Sequence, residues 1–377
     1  MSKKKIIFVT GTRADYGKLK SLIFELKKSK KFSVNVFITG MHNLKKYGFT
    51  FEEIIKDKVK NYFKYENQKL DDPMDIILAK TIKGFNKYVK KEKPDLVVVH
   101  GDRVEPLACA IVCSLNNILL AHIEGGEVSG TVDEMLRHAI SKLAHLHFVS
   151  NKNARKRLIQ MGENSQSIYV IGSPDLDIMK SKKLPNISEV KKRYNFDFND
   201  YGILLFHPVT TELSKLKAQV KKLCNSIKKI NKNFIVIYPN NDSGAKVILD
   251  EYNKSLKNNK YFKIYPSMRF EYFLTLLKNC RLIIGNSSAA VREAPFYGVR
   301  TINLGSRQFK RSESNSIINI DFNQKKITDH LIKNFNKDIK ISKSTEFGDG
   351  NSAKKFLKII NKKNFFKMSK QKIFRDI

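Results

Sequence analysis

Between Pro94 and His138 the chain reads PDLVVVHGDRVEPLACAIVCSLNNILLAHIEGGEVSGTVDEMLRH, and its two short apolar runs, Leu96–Val99 and Ile118–Ala121, stop abruptly at charge. The first ends in His100-Gly101-Asp102-Arg103, the second in His122-Ile123-Glu124-Gly125-Gly126-Glu127. A helix-length segment separates them. Runs of this kind read as neighbouring parallel strands buried on both faces, and ligands of such sheets bind beyond the carboxyl ends of the strands. The spacing predicts Asp102 and Glu124 side by side at that edge. Asp133, opening the next helix after a Gly-rich loop, is expected as a third carboxylate. Acids, Arg and His converging on one sheet edge predict acid/base chemistry on an anionic substrate.

With 377 residues the chain exceeds one ordinary core, and it alternates strand and helix almost throughout. In the first half the strands are Ile6–Thr10, Val34–Thr39, the two central runs, Leu146–Val149 and Ile168–Ile171, with helices near residues 13–30, Ile76–Lys91 and Asn151–Met161. Asn43–Asp72 shows no clear period. Polar residues and prolines from Ser181 to Ser188 read as a crossing into a second series, with strands Ile203–Phe206, Phe234–Tyr238, Phe262–Tyr265, Leu282–Ile284 and Thr301–Leu304. A helix is expected over Arg269–Lys278, another from Ser287 through about Tyr297, and a tail helix over Ser352–Ile360 that returns across the hinge. The fold class is therefore α/β, as two Rossmann-like, doubly wound parallel-sheet domains facing a cleft. Their expected extents are residues 1–178, which carry the carboxylates, and 179–350, with 351–377 crossing back to the first. No internal repeat is apparent.

Three further loops carry chemistry. Gly11–Lys18 joins the first strand to its helix, where backbone N–H groups and the helix dipole favour an anion, and Arg13 and Lys18 add charge. The loop is neither a Walker sequence nor a GxGxxG fingerprint, so no nicotinamide is indicated. Gly285-Asn286-Ser287-Ser288 repeats the arrangement in the second half, although a Ser at that position commonly serves as an N-cap. Glu293, about one and a half turns beyond Ser288, suits the two hydroxyls of a ribose. His207 follows a strand and precedes Pro208, so it is expected at a strand end facing the cleft. His145 and His147 read as packing or hydrogen-bonding groups, and the acid and His spacings suggest no metal.

The net charge of +35 invites a nucleic-acid reading. Yet 58 of the 71 basic residues are Lys, scattered among Asn and Ile rather than gathered into a stripe. A solvated basic surface accounts for that pattern, and neither a nucleic-acid nor a membrane partner is expected. Four Cys lie in distant segments without CxxC spacing, which fits a reducing compartment. The basic N-terminus has too few apolar residues for a signal peptide, and no stretch approaches the ~18 needed for a membrane span. A cytoplasmic location is expected.

Several segments together resemble the UDP-N-acetylglucosamine 2-epimerases, specifically their hydrolysing branch, which starts sialic acid synthesis. They are TGTRADYGKLK (10–20), TGMHNLKKYG (39–48), HGDRVEPLA (100–108), HIEGGEVSGTVDEMLRHAISKLAH (122–145), IGSPDLDIM (171–179), FHPVTTE (206–212), YPNNDSG (238–244), RFEYFLTLLK (269–278) and GNSSAAVREAPFYGV (285–299). HIEGGEVSGT resembles the hydrolysing enzymes in particular. The resemblance spans almost the whole chain and implies the glycosyltransferase-B arrangement, with the second domain binding the nucleotide. It implies UDP-N-acetylglucosamine and UDP as ligands, no cofactor, and a homodimer or homotetramer. UDP would leave C1 as a base removes the C2 proton, giving a 2-acetamidoglucal; water would then add with C2 inverted, releasing N-acetylmannosamine.

By the same resemblance Asp102, Glu124 and Asp133 match the catalytic carboxylates, with base and acid not apportioned, and clustering is expected to raise their pKa values. His207 matches the cleft histidine. Arg13, Lys18, Arg103, Ser287 and Ser288 match positions that hold the diphosphate, Glu293 the ribose, and His42 and His138 the surroundings of the sugar. Gly17 departs from relatives that carry Ser there. Alternatives are a GDP-linked or 2,4-diacetamido-6-deoxy sugar as substrate, a glycosyltransferase of the same fold, or a basic nucleic-acid-binding protein.

Overall fold

A computed structural model describes residues 3–70, 72–129, 132–181, 183–239, 242–309, 311–335 and 341–375. The chain forms two compact units: Met1–Glu127 with Asp133–Ser181 and Phe347–Ile377, and Val128–Val132 with Lys182–Glu346. Among the described residues, unit 1 contains β1 (Lys4–Thr10), β2 (Phe32–Ile38), β3 (Tyr62–Lys64), β4 (Leu96–His100), β5 (Leu120–Ile123), β6 (Leu146–Val149) and β7 (Ile168–Val170). They lie in the order β3-β2-β1-β4-β5-β6-β7, and every pairing is parallel. Unit 2 contains, among the described residues, β8 (Gly202–Leu205), β9 (Phe234–Ile237), β10 (Phe262–Tyr265), β11 (Leu282–Gly285), β12 (Arg300–Leu304) and β13 (Ile317–Ile320). Their order, β10-β9-β8-β11-β12-β13, is again wholly parallel. Both sheets are thus doubly wound, with strand order reversing between β1 and β4 in unit 1 and between β8 and β11 in unit 2. The two units share one winding although the sequence shows no repeat.

Apolar runs form these strands because both faces are covered. Ile6 and Phe8 point into a core with Leu19, Leu22 and Val98, while Ile7 and Val9 point into another with Phe37, Val97 and Val99. Each such side chain contributes about 1.5–3 kcal/mol by leaving water. Cys109 and Cys113 belong to the second of these cores as free thiols.

The tail helix occupies Ser352–Ile360 and packs within unit 1. Phe356 meets Phe148 edge-on at 4.6 Å between centroids and Phe8 at 6.5 Å. Its N-terminus is held from a distance: the Ser352 and Ala353 N–H groups each donate to Asp177 at 2.7 Å.

Several expectations need correcting. The segment without clear period holds a helix, Phe51–Lys56, and the short strand β3. The helix expected through Tyr297 is two, Ser288–Val291 and Glu293–Tyr297, broken where Arg292 takes φ −114° and ψ −60°. β13 and the helix Gln324–Phe335 had no counterpart in the sequence reading. Among the described residues, no helix is long and apolar enough to cross a membrane.

Candidate active site

The carboxyl edge of unit 1 brings β1, β4 and β5 together. β4 pairs with β5 so that His100 stands opposite Ile123, and both chains then turn sharply. Gly101 takes φ +75° and Glu124 takes φ +65°. For a residue with a side chain that left-handed conformation carries strain on the order of 1 kcal/mol, and it is held by the Glu124 N–H donating to the Phe148 carbonyl at 3.0 Å.

The buried Glu124 carboxylate is surrounded by partners. Ser173 Oγ donates to Oε1 at 2.5 Å, His100 Nε2 lies 3.0 Å from Oε2, and Lys18 Nζ lies 3.6 Å from Oε2 and 4.0 Å from Asp175 Oδ2. The other ring nitrogen of His100, Nδ1, sits 2.7 Å from Asp15 Oδ1. Burial alone would lower the His100 pKa, but Glu124 and Asp15 outweigh it and raise the pKa to about 9. His122, next to this edge, is neutral by construction: Nε2 donates to the Gly101 carbonyl at 2.8 Å, so Nδ1 accepts from Ser141 at 3.0 Å. Burial pushes its pKa down to about 3.

Asp102 forms an ion pair with Arg137, whose guanidinium also donates to the Glu127 carbonyl at 3.1 Å. Arg137 lies in the helix Val132–Leu143. Asp133, in the first turn of that helix, stands one turn before Arg137 on the same face. Asp102 thus faces Arg137, while Glu124 faces Lys18 and His100, which it shares with Asp175 and Asp15.

The other unit 1 candidates are placed differently from one another. Arg13 pairs with Glu53 at 2.9 Å. Arg103 is the N-cap residue of the helix Val104–Leu115 and lies 3.6 Å from the buried Glu105. In the Gly11–Lys18 loop Thr12 caps the helix by accepting from the Asp15 N–H at 3.1 Å, and the Gly11 N–H donates to Asp15 Oδ2 at 3.0 Å. His42 is fully buried, with Nε2 3.0 Å from Thr10 Oγ1 and Nδ1 2.7 Å from Thr50 Oγ1, and burial lowers its pKa to about 4. Its ring braces the loops after β1 and β2. His138 is half-buried on its helix, 3.8 Å from Glu134.

In unit 2 the strand-order reversal brings His207 beside the Gly285–Ser288 loop. The His207 N–H donates to Asn286 Oδ1 at 2.7 Å, and Asn286 Nδ2 donates back to the His207 carbonyl at 2.9 Å. Arg307 Nη1 donates to the Asn286 carbonyl at 3.1 Å. Burial, with Arg307 adding to it, pushes the His207 pKa well below its ordinary value, so the ring is a neutral donor or acceptor rather than a cation. Gly285 takes φ +140°, and a Cβ there would stand 2.0 Å from the Leu205 carbonyl oxygen. Ser287 is the N-cap, accepting from the Ala289 N–H at 3.3 Å. Ser288 opens the short helix, and the buried Glu293 begins the next one.

Asp15, His100, Ser173, Asp175 and Arg137 complete the unit 1 cluster; sequence reasoning counted His and Arg among the groups converging on this edge but gave none of these five residues an individual role. Asp15 carried a usable signal as an acid three residues after a capping Thr. Ser173, which donates to Glu124, and Asp175, which shares Lys18 with it, had none, since they lie about fifty residues away in sequence. Among the described residues no group of three or more His, Cys, Asp or Glu is placed to hold a metal.

Residues 24–361 match the family profile described as UDP-N-acetylglucosamine 2-epimerase. The chain is 42% identical to the UDP-N-acetylglucosamine 2-epimerase of Neisseria meningitidis serogroup B, over 99% of each chain. It is 34% identical to the hydrolysing UDP-N,N'-diacetylbacillosamine 2-epimerase of Legionella pneumophila, over 95% of each. The crystal structure of the Methanocaldococcus jannaschii UDP-GlcNAc 2-epimerase, in complex with UDP-GlcNAc and UDP, superposes with a TM-score of 0.77 at 26% identity, covering 94% of this chain and 99% of that one. With the two doubly wound sheets of the glycosyltransferase-B type, these likenesses lead to one assignment: the chain belongs to the UDP-N-acetylglucosamine 2-epimerase family.

Proposed function

We propose that the protein is a hydrolysing 2-epimerase that converts UDP-N-acetylglucosamine and water to N-acetylmannosamine and UDP. That reaction would be the first step of sialic acid biosynthesis. The observation that carries the reading is the carboxyl edge of unit 1, where Glu124 and Asp102 face separate cations at adjoining strand ends. An elimination needs one group to take the C2 proton and a later hydration needs another to give one back. In the first step the C2–H electrons form the C1=C2 bond, and the C1–O bond breaks toward the diphosphate. In the second, water oxygen bonds to C1 and a proton adds to C2 on the opposite face. Redox balance is unchanged, so no nicotinamide is called for.

Asp102, Glu124 and Asp133 are assigned to these proton transfers. Arg13, Lys18, Arg103, Ser287 and Ser288 are assigned to the diphosphate and Glu293 to the ribose. Arg13 and Lys18 would exchange their present partners, Glu53 and Glu124, for phosphate oxygens. His207, neutral and beside Arg307, suits hydrogen bonding to a leaving diphosphate. The same reading makes the protein a cytoplasmic homodimer or homotetramer, which light scattering checks.

Proton NMR with UDP-N-acetylglucosamine in deuterated water tests the reaction. Free UDP with N-acetylmannosamine deuterated at C2 is the expected result. Formation of UDP-N-acetylmannosamine instead would move the protein to the non-hydrolysing reaction. The 34% identical Legionella enzyme favours a second substrate, a UDP-linked 2,4-diacetamido sugar, and turnover of that sugar alone would replace the first reading.

A further inference from the structure

Counting protons on the Asp15–His100–Glu124 line gives a result beyond the family reaction. His100 presents both ring nitrogens to carboxylate oxygens, Nδ1 to Asp15 at 2.7 Å and Nε2 to Glu124 at 3.0 Å. A neutral imidazole owns one N–H, so one of those contacts would set lone pair against lone pair. The Nε2 contact is an aligned hydrogen bond, whereas the Nδ1 contact is a close approach off the hydrogen-bond angle; at 2.7 Å a bare nitrogen lone pair and a carboxylate oxygen repel, and one additional proton on the line turns that approach into an ion pair. The far oxygens of the two carboxylates are already fixed, Asp15 Oδ2 by the Gly11 N–H and Glu124 Oε1 by Ser173. The other titratable groups facing the line are Lys18, which touches both Glu124 and Asp175, and His122, whose ring nitrogens are committed to Gly101 and Ser141. Although burial opposes a charged ring, the two carboxylates prevail and hold His100 protonated up to about pH 9.

Asp102 differs in kind. Its partner is Arg137, and a guanidinium keeps its protons in proteins. The pair can accept a proton from substrate but has none to supply.

We infer that His100 is a positioning residue that holds a transferable proton for Glu124, making Glu124 the acid that protonates C2 while Asp102 stands on the base side. The inference rests on the proposed elimination and hydration. Before hydration the Nε2–H bond breaks and an Oε2–H bond forms. The imidazolium becomes a neutral imidazole that keeps its Nδ1–H beside Asp15. Glu124 then gives its proton to C2 as water oxygen bonds to C1; the proton released by that water, carried through solvent, restores the line, and the C2 proton that Asp102 took in the elimination leaves to solvent.

Two measurements on the full chain test this. In protein labelled with ¹⁵N-histidine, the His100 signals, assigned by their loss in His100→Gln, are expected to be those of an imidazolium at pH 7. In Asp15→Asn they should titrate at lower pH. A neutral His100 at pH 7 overturns the proposal, and this readout needs no turnover, so it stands apart from any failure of the proposed reaction. With UDP-N-acetylglucosamine, His100→Gln is expected to keep the KM within about twofold and lose at least ~10²-fold in N-acetylmannosamine formation. UDP and 2-acetamidoglucal should accumulate, because elimination outruns hydration. Asp15→Asn, which keeps the ring, should move the alkaline limb of kcat to lower pH. Wild-type product formation by His100→Gln, or an unmoved limb in Asp15→Asn, overturns the proposal.

Discussion

Glu124 concentrates what single residues contribute to this protein. Its backbone is held in a conformation that favours glycine, and its side chain is fixed by a serine, an imidazole and an ammonium. A carboxylate so constrained can be made neutral without removing its shape. Asp102→Asn, Glu124→Gln and Asp133→Asn are each expected to lower kcat by ~10²-fold or more while UDP affinity and folding persist; kinetics beside calorimetric titration with UDP checks this. A wild-type rate in one of them removes that residue from the chemistry. Arg13→Ala should instead weaken UDP binding by roughly tenfold, about 1.4 kcal/mol, in the same titration.

Elements were more legible than their partners. Uninterrupted Val, Ile and Leu runs such as Leu96–Val99 declare buried parallel strands, and Ser352–Ile360 declares a helix, because burial on both faces or along one stripe leaves its own period. β3 escaped because a three-residue edge strand with exposed Tyr62 and Phe63 has no period to read. The acids at the site were legible because they end strands. Their cations were not, since Arg137 meets Asp102 across 35 positions and His100 meets Asp15 across 85, pairings fixed only by the winding of the sheet. The Gly285 loop is where one element depends on one residue. Gly285→Ala would drive a methyl group into the Leu205 carbonyl between paired strands and is expected to cost about 3 kcal/mol, read as a lower urea midpoint. An unchanged midpoint would mean that β8 and β11 can separate freely.

At the scale of the whole molecule, buried histidines set the pH range of stability. His42 and His122 have pKa values lowered to about 4 and about 3, so each adds stability that is present above the unfolded value near 6.5 and lost as pH falls through that window. His100 works in the opposite sense. Its pKa is raised to about 9, so its contribution is complete below pH 6.5 and lost as pH rises through 9. Urea midpoints measured from pH 4 to 10 should peak between about 6 and 7 and fall on both sides. A flat profile would mean these rings titrate as they do in the unfolded chain.

Helix Ser352–Ile360, which seals the core of unit 1, also sets an order of events in time. A ribosome releases β1 to β7 first, then all of residues 182–346, and only afterwards Phe356. At about 5–20 residues per second the intervening stretch takes on the order of ten seconds, while Phe8 and Phe148 wait for the ring that covers them. Residues 347–377 belong to unit 1, and unit 2 ends at Glu346. In nascent chains arrested after Glu346, protease should therefore spare unit 2 and cut unit 1. The half of the protein that is synthesised first is the half that finishes folding last.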